Sequence, residues 1–304
     1  MTAPICVMDI GGTKLAAGIM LTDNTIHYRH ELPTLAQEGA QAVFQRLTTL
    51  GKQVMAAYQQ DQPPLPVAAI GVASGGQIEP STGQVVHATD NIPGWTGLPL
   101  GARLTAHFDL PAFVENDANC FALAEAKLGV GQGYRHLLVV AVGTGVGAGI
   151  VINGRLYSGW EGKAGEVGHF CVEPVNGRPC TCGLAGCLES YTATRIIVAQ
   201  SGYPTIQALA ADYTAGQAIA AVDEAALWLG RGLATMAHIL GPEALIIGGS
   251  VGLLGERYLS LVRDSYRQHA MLSYRRIPIL AAQLAADTGL LGAGLWARQG
   301  LLAV

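Results

Sequence analysis

Two aspartates, three glycine-rich turns and one knot of cysteines are the places where this sequence could do chemistry. Asp9 stands just ahead of Gly11-Gly12-Thr13-Lys14, between two apolar runs. Further along, VGTGVGAGIV (142–151) sets glycine at 143, 145, 147 and 149. Interior glycine weakens a strand by roughly 0.5–1 kcal/mol against alanine, so four at alternate positions imply that something must approach this backbone closely. Successive N–H groups at a glycine turn form a concave nest for anions, most often phosphate. Two ordinary hairpins with glycine turns would read the same way. If the guest is a polyphosphate, Asp9 suits its magnesium, directly or through water. A third turn, ALIIGGSVG (244–252), offers Gly248 and Gly249 as bare backbone against which an adenine or ribose could lie flat. No G-x-x-x-x-G-K-[ST] is present, which excludes a P-loop, and the alternate glycines do not meet the Rossmann spacing.

The second aspartate lies in FVENDANCFALAEAKLG (113–129), which runs from strand into helix. Asp117 stands where an N-cap belongs, with Gly129 as the C′ residue. Taken alone it is a structural cap. Three features favour a catalytic role: Asn116 and Asn119 crowd the same turn with amides suited to sugar recognition, α/β folds place ligands at the carboxyl ends of strands, and the helix dipole favours an ionised carboxylate. Phosphoryl transfer passes through a loose transition state, so a weak, well-placed base is enough to orient a hydroxyl and finally take its proton.

EVGHFCVEPVNGRPCTCGLAGCLES (166–190) carries His169, Cys180, Cys182 and Cys187. One imidazole and three thiolates complete a tetrahedral structural zinc site with no open position. Gly183 and Gly186 let the C-x-C-x4-C segment turn tightly, and a loop this polar needs such a staple because it cannot build a core. Glu166 and Glu189 bracket the cluster, where it would hold them rigidly for binding hydroxyl groups. Whether His169 uses one nitrogen for metal and the other for ligand is left open by the sequence.

These residues must be positioned by alternating strands and helices. Strands are predicted at 5–10, 15–20, 67–73, 111–116, 136–142, 148–153 and 244–248. Helices are predicted near 35–58, 117–128, 190–200, 218–240, 253–269 and 287–303. The clearest helix places Val222, Leu229, Leu233, Met236 and Leu240 on one face and stops at Gly241-Pro242. The alternation indicates an α/β fold with mixed sheets. VMDIGGTKLAAGIM (7–20) also lies over VVAVGTGVGAGIVI (139–152), with Gly11 on Gly143 and Asp9 on Ala141, a candidate internal repeat in which one copy alone keeps a carboxylate.

Composition limits the alternatives. Of 304 residues half are apolar, 13% are charged and 40 are glycine, as in a well-packed enzyme rather than a disordered or fibrous chain. A net charge of −4 without a run of Lys or Arg argues against nucleic acid or an anionic membrane as partner. No apolar run approaches the ~20 residues of a membrane helix, and MTAPICVMDIGG lacks a signal peptide's basic flank and apolar core, so a cytoplasmic protein is expected. In that reducing setting the clustered cysteines point to metal, and Cys6, Cys120 and Cys171 read as small core residues.

In combination and order, DIGGTK (9–14), NIPGW (91–95), ENDAN (115–119), GTGVGAG (143–149), GEVGH (165–169), CTCGLAGCLE (180–189) and IIGGSVG (246–252) resemble the ROK family of bacterial sugar kinases and sugar-responsive repressors, part of the actin-like ATPase superfamily. The resemblance implies two related α/β domains of the ribonuclease H-like fold around a central cleft: residues 1–117 with 288–304, and 118–287 carrying a zinc loop at 165–190. It implies ATP at Asp9, Gly11, Gly12, Thr13, Lys14, Gly143, Thr144, Gly145, Gly147, Gly248 and Gly249, with Mg2+, and Zn2+ at His169, Cys180, Cys182 and Cys187. It implies Asp117 as general base and sugar contacts at Gly76, Asn91, Asn116, Asp117, Glu166, His169 and Glu189. Many relatives have proline and glycine where this chain has Ser74-Gly75-Gly76, which departs from the pattern. The family's repressors carry a winged-helix domain ahead of the first phosphate strand; here that strand begins by residue 5, which argues against a DNA-binding repressor. The intact Asp9 and Asp117 argue against the alternative, a non-catalytic sugar sensor, so a kinase is expected. The expected reaction is transfer of the ATP γ-phosphate to the 6-hydroxyl of a hexose or N-acetylhexosamine, N-acetylmannosamine or glucose first among them. Homodimers are common among such relatives.

Overall fold

The first two strands form because their apolar runs can be buried almost completely, and the glycine turn between them sends the chain straight back. The computed structural model describes residues 3–61, 65–89, 91–284 and 287–303, and the chain divides into two compact units. One comprises residues 1–124, 158–164 and 284–304, the other 125–157 and 165–283. Beside the expected 1–117 and 288–304, the first unit thus takes in the start of the helix after Asn116 and the stretch 158–164.

In the first unit β1 (Ile5–Ile10) pairs antiparallel with β2 (Lys14–Met20), and β2 with β3 (Ile26–Pro33). Helix α1 (Ala40–Gln60) buries Val43, Leu47, Leu50, Val54 and Tyr58 at helical spacing. Then follow β4 (Ala69–Ser74), the hairpin β5 (Gln77–Glu79) and β6 (Gln84–His87), α2 (Leu100–Phe108), β7 (Ala112–Asn116) and α3 (Asp117–Leu128). The sheet runs β3-β2-β1-β4-β7, with β4 and β7 parallel to β1.

The second unit repeats that plan. β8 (Leu137–Val142), β9 (Val146–Ile152) and β10 (Arg155–Tyr157) make an antiparallel meander. After α4 (Glu189–Thr192), α5 (Thr194–Ser201), α6 (Ile206–Thr214) and α7 (Ala220–Leu240) come β11 (Ala244–Gly248), α8 (Gly255–His269) and β12 (Ile279–Ala281). The order β10-β9-β8-β11-β12 matches the first sheet strand for strand. β1 and β8 also coincide residue for residue under the offset that lays Gly11 on Gly143, and β2 falls on β9. The candidate repeat is therefore a real structural duplication.

The last helix, α9 (Thr288–Ala303), packs on the first unit's sheet. Leu290 and Ala297 join Ile5, Val7 and Ala69, and Ala293 joins Ala73 and Cys120. Gly292 lies directly against the Cys120 carbonyl, where a Cβ would collide with backbone.

Several expectations need correcting. β3, β5, β6, β10, β12, α2 and α6 are additional elements. The helix expected at 190–200 is broken at Ala193, which is extended, because the Thr194 N–H donates to the Gly143 carbonyl (2.8 Å) instead of continuing the helix. Helix α1 starts at Ala40 rather than near 35, and α8 at Gly255 after a 3-10 turn. Gly241 does end α7 in the left-handed conformation, but Gly129 is not left-handed. It is glycine because the Glu125 carboxylate folds over it to accept from Val130 N–H at 3.1 Å. Cys6 and Cys120 are buried as expected, whereas Cys171 is exposed, held at the rim of the cysteine loop by its ladder pairing with Cys187. Among the described residues no helix is long and apolar enough to cross a membrane.

Candidate active-site residues and metal centre

In the first unit the candidate residues gather at the carboxyl ends of β1, β4 and β7. The turn Gly11-Gly12-Thr13 closes with Gly11 N–H donating to Lys14 O at 3.0 Å. The Thr13 carbonyl and the Gly11 carbonyl are both taken by Thr34, while Gly12 and Thr13 N–H groups donate to no group among the described residues. Two successive donors therefore point out of this turn. Lys14 is paired with Glu31 at 2.7 Å, and Glu31 also meets Arg29, which reaches Asp287.

Asp9 lies beside this turn, its carboxylate over the start of α9 at Gly289, where a Cβ would come within 2.5 Å of Oδ2. Burial, and next the charge of Asp117, raise it from 3.8 to about 6, against the opposing pull of Lys14 and Arg29. No N–H or O–H of the described residues donates to it. A half-buried carboxylate without a donor is a poor structural group and a good ligand for a hydrated cation.

Asp117 is exposed at the first position of α3. Its Oδ1 accepts from the Ala118 N–H at 2.8 Å, and it shares that donor with Asn116, whose Oδ1 caps the helix further by accepting from the N–H groups of both Ala118 (2.9 Å) and Asn119 (3.1 Å). Asn116 Nδ2 meanwhile donates to the Gly76 carbonyl at 2.8 Å. Gly76 sits at φ 101°, a conformation glycine adopts readily. Both ends of the Asn116 amide thus brace the loop on which Asp117 stands. Beneath it the fully buried Glu115 accepts from Asn116 N–H, Asn119 Nδ2 and Ser158 Oγ. Burial raises the Glu115 carboxyl, and those bonds oppose the shift. Asn91 is exposed on the neighbouring loop and donates to Thr89 Oγ1.

In the second unit the turn Gly143-Thr144-Gly145 also leaves the N–H groups of Thr144 and Gly145 without partners among the described residues. Its carbonyls are held: Gly143 O by Thr194 N–H, and Thr144 O by Arg195 Nε at 2.9 Å. The turn after β11 lies close by, with Ser250 Oγ 3.0 Å from Thr194 Oγ1 and Gly249 left-handed. What comes close to the backbone at Gly145 is an internal group. The Glu189 carboxylate lies where a Cβ would come within 2.8 Å of it. Glu189 is buried; its Oε2 accepts from Val146 N–H at 3.0 Å, and its Oε1 from Thr181 Oγ1 and Arg195 Nη2.

Glu166 and His169 flank a 3-10 turn pressed on β9, where Ala148 N–H donates to Gly165 O at 3.0 Å. His169, Cys180, Cys182 and Cys187 bring their ligand atoms within 4.8 Å of one another. His169 Nδ1 lies 3.6 Å from Cys180 Sγ, and Cys182 Sγ lies 3.7 Å from Cys187 Sγ. An ion about 2.1 Å from nitrogen and about 2.3 Å from sulfur has tetrahedral edges of about 3.6–3.8 Å. Two edges are already at that length, so the donor set fits. Nδ1 is the nitrogen facing the thiols, which leaves Nε2 for another partner. Burial opposes ionisation of Cys180, but hydrogen bonds from Cys182, Ser190 and His169 outweigh it and bring the thiol down to about 7.

Three residues that tie these groups together carry little signal in the sequence. Thr181 could have been suspected, standing between two cysteines. Glu115 hid in ENDAN beside two more obvious residues, and Arg195 has no pattern at all.

The family model described as ROK family matches residues 5–300. A glucokinase from Halalkalibacterium halodurans is 32% identical over 314 residues, covering 96% of this chain and 94% of that protein. An N-acetylmannosamine kinase from Escherichia coli is 34% identical over 301 residues, covering 96% and 97%. The crystal structure of a ROK family glucokinase from Streptomyces griseus, in complex with glucose and AMPPNP, superposes with a TM-score of 0.84 at 31% identity, covering 98% of this chain and all of that one.

Proposed function

The chain belongs to the ROK family, and from that premise we propose that it is an ATP-dependent sugar kinase acting on the 6-hydroxyl of a hexose or N-acetylhexosamine. The observation that carries the reading is the stand of Asp117: an exposed carboxylate at the carboxyl end of a strand, which shares the Ala118 N–H with Asn116 and leaves the Asn119 N–H to Asn116. A group so exposed is suited to chemistry, and Asn116 would still cap the helix without it. Asp117 orients the sugar hydroxyl and accepts its proton as the O–P bond forms and the bond to ADP breaks. The donor N–H pairs at Gly12-Thr13 and Thr144-Gly145 serve phosphate oxygens, and Asp9 serves the Mg2+ that accompanies ATP. The Gly248-Gly249 turn serves the nucleoside.

His169, Cys180, Cys182 and Cys187 would hold Zn2+, which supplies structure and no chemistry. That loop carries Thr181 to Glu189, and so fixes the Glu189 carboxylate against the turn at Gly145-Val146. Sugar hydroxyls are assigned to Gly76, Asn91, Asn116, Asp117, Glu166, His169 Nε2 and Glu189. Both Glu189 oxygens already have donors, so its contact with sugar is as an additional acceptor.

Glucose and N-acetylmannosamine lead as substrates, and identities of 32% and 34% to the two kinds of relative do not separate them. The test is ADP release from MgATP with glucose, mannose, fructose, N-acetylglucosamine and N-acetylmannosamine, ranked by kcat/KM. Strong turnover of one sugar is expected. Sugar binding without turnover across the panel would replace the kinase with a sensor.

A further inference from the structure

Counted along the sequence, basic residues form no long run, but the fold gathers them. Residues 255–280 hold five arginines against two acids in a chain whose net charge is −4. Four of the five line one groove of about 350 Å³: Arg263 and Arg267 from α8, and Arg275 and Arg276 from the turn leading into β12. Arg263 is paired with Glu256 and donates to the Ile279 carbonyl, and Arg267 is paired with Asp264. Arg275 uses Nε on the Ala270 carbonyl, at 3.0 Å, and has no acidic partner among the described residues. Arg276 has no ion pair or hydrogen bond among them. The floor is apolar: Tyr266 is buried with its hydroxyl on the Tyr274 carbonyl, and Ile277 is half-buried.

The groove is separate from the glycine turns of the same unit. Those turns lie at the carboxyl ends of β8 and β11. Parallel β12 enters the sheet beside Leu245, at the opposite end of β11 from Gly248, and the groove opens at that entry. Guanidinium groups are planar forks whose donors match phosphoryl and carboxylate oxygens two at a time, and all four cations here are arginine rather than lysine. The volume is that of a small-molecule site.

We propose that this groove binds a small compound carrying two or more phosphoryl or carboxylate groups on a compact body, at a site distinct from the nucleotide turns and independent of the kinase reading. Arg275 and Arg276 supply the uncompensated charge, and Arg263 and Arg267 turn a share of their donors to it.

The experiment is calorimetric titration of the full chain, pre-saturated with AMPPNP and Mg2+, with fructose 1,6-bisphosphate in one arm and citrate in the other. At least one probe is expected to bind one-to-one, with affinity at least tenfold weaker in Arg275→Ala/Arg276→Ala. Turnover without the probe is expected to be unchanged in that variant. Arg276→Ala alone, which removes no recorded bond, serves if the double variant is unstable, and a weakening of threefold or more is expected from it. Which probe binds assigns the ligand to phosphate or carboxylate chemistry. Equal binding to wild type and variants, or no binding of either probe at millimolar concentration, would overturn the proposal. So would affinity for a long polyanion such as heparin with neither small probe bound, because that would make the groove a macromolecular surface.

Discussion

Replacing Glu189 tests the central claim about the second unit, that one carboxylate locks the glycine turn to the cysteine loop. In Glu189→Ala the Val146 N–H loses its acceptor at a position only 5% exposed, and an unsatisfied buried donor costs about 1–3 kcal/mol. Arg195 keeps its bond to Thr144 O, and its side chain is 34% exposed. Water therefore replaces most of the lost ion pair, whose share is about 0.5–1 kcal/mol. Together the loss is about 1.5–4 kcal/mol. Glu189→Gln keeps the shape, but one carboxamide oxygen cannot accept from Val146 on one side and from Arg195 and Thr181 on the other, so about 1–2 kcal/mol is expected there. Two-unit chains seldom unfold in one step, so the sharper assay is amide hydrogen exchange at Val146. A loss of about 1.5–4 kcal/mol speeds exchange roughly tenfold to a thousandfold where local opening governs it. In kinetics the KM for nucleotide should rise along with that for sugar, because the turn itself loosens. Exchange within threefold of wild type, or a rise confined to the sugar KM, would refute the lock and leave Glu189 a simple sugar contact.

Asp117→Asn should lower kcat by about 10²–10⁴-fold while sugar affinity stays within about threefold and the melting temperature barely moves, since Asn116 carries the cap. Near-normal turnover would remove the base assignment. Cys182→Ser should lose zinc and thermal stability together, measured by metal analysis and melting; a wild-type protein free of zinc would end that reading. Asp9 governs a pH effect. Its carboxyl is raised in the folded state from 3.8 to about 6, so between those values the folded protein holds a proton the unfolded chain has released. The stability this contributes is fully present below pH 3.8 and is lost as pH rises through about 6. In metal-free buffer the wild type should lose melting temperature across that window relative to Asp9→Asn, and parallel profiles would contradict the shift.

The sequence was informative where chemistry imposes short-range spacing. Three cysteines within eight residues had to be neighbours in space, and the two glycine hairpins share their loop length and flanking strands, so the duplication could be read from Gly11 and Gly143. It was less informative where tertiary partners decide. β3 (IHYRHELP) shows no clean alternation because it lies at a sheet edge and meets β2 across a bulge, with Ile26, Tyr28 and Leu32 packed on the cores among exposed polar residues. Helix α6 did have a signal, with Thr205 capping and Ile206, Leu209, Ala210 and Tyr213 at helical spacing. Between Asn116 and Asp117 local chemistry cannot choose a cap, since either side chain serves; the Gly76 carbonyl, forty residues away, settles it. The Glu189 seat is equally non-local, its Val146 donor lying 43 positions upstream.

The dependence of the first unit on α9 has a consequence for the newborn chain. The strands that carry Asp9 and lead to Asp117 are complete at Asn116, but the helix that covers them starts only at Thr288. At a synthesis rate of about 5–20 residues per second, the faces of β1 and β4 that α9 will bury wait about 9–34 s for their cover. Throughout that interval Ile5, Val7, Ala69 and Ala73 form a sticky surface on the ribosome, and the second unit has its full sequence before the first can close. Closure of the first unit thus waits for nearly the whole chain, although its strands are the first to be made.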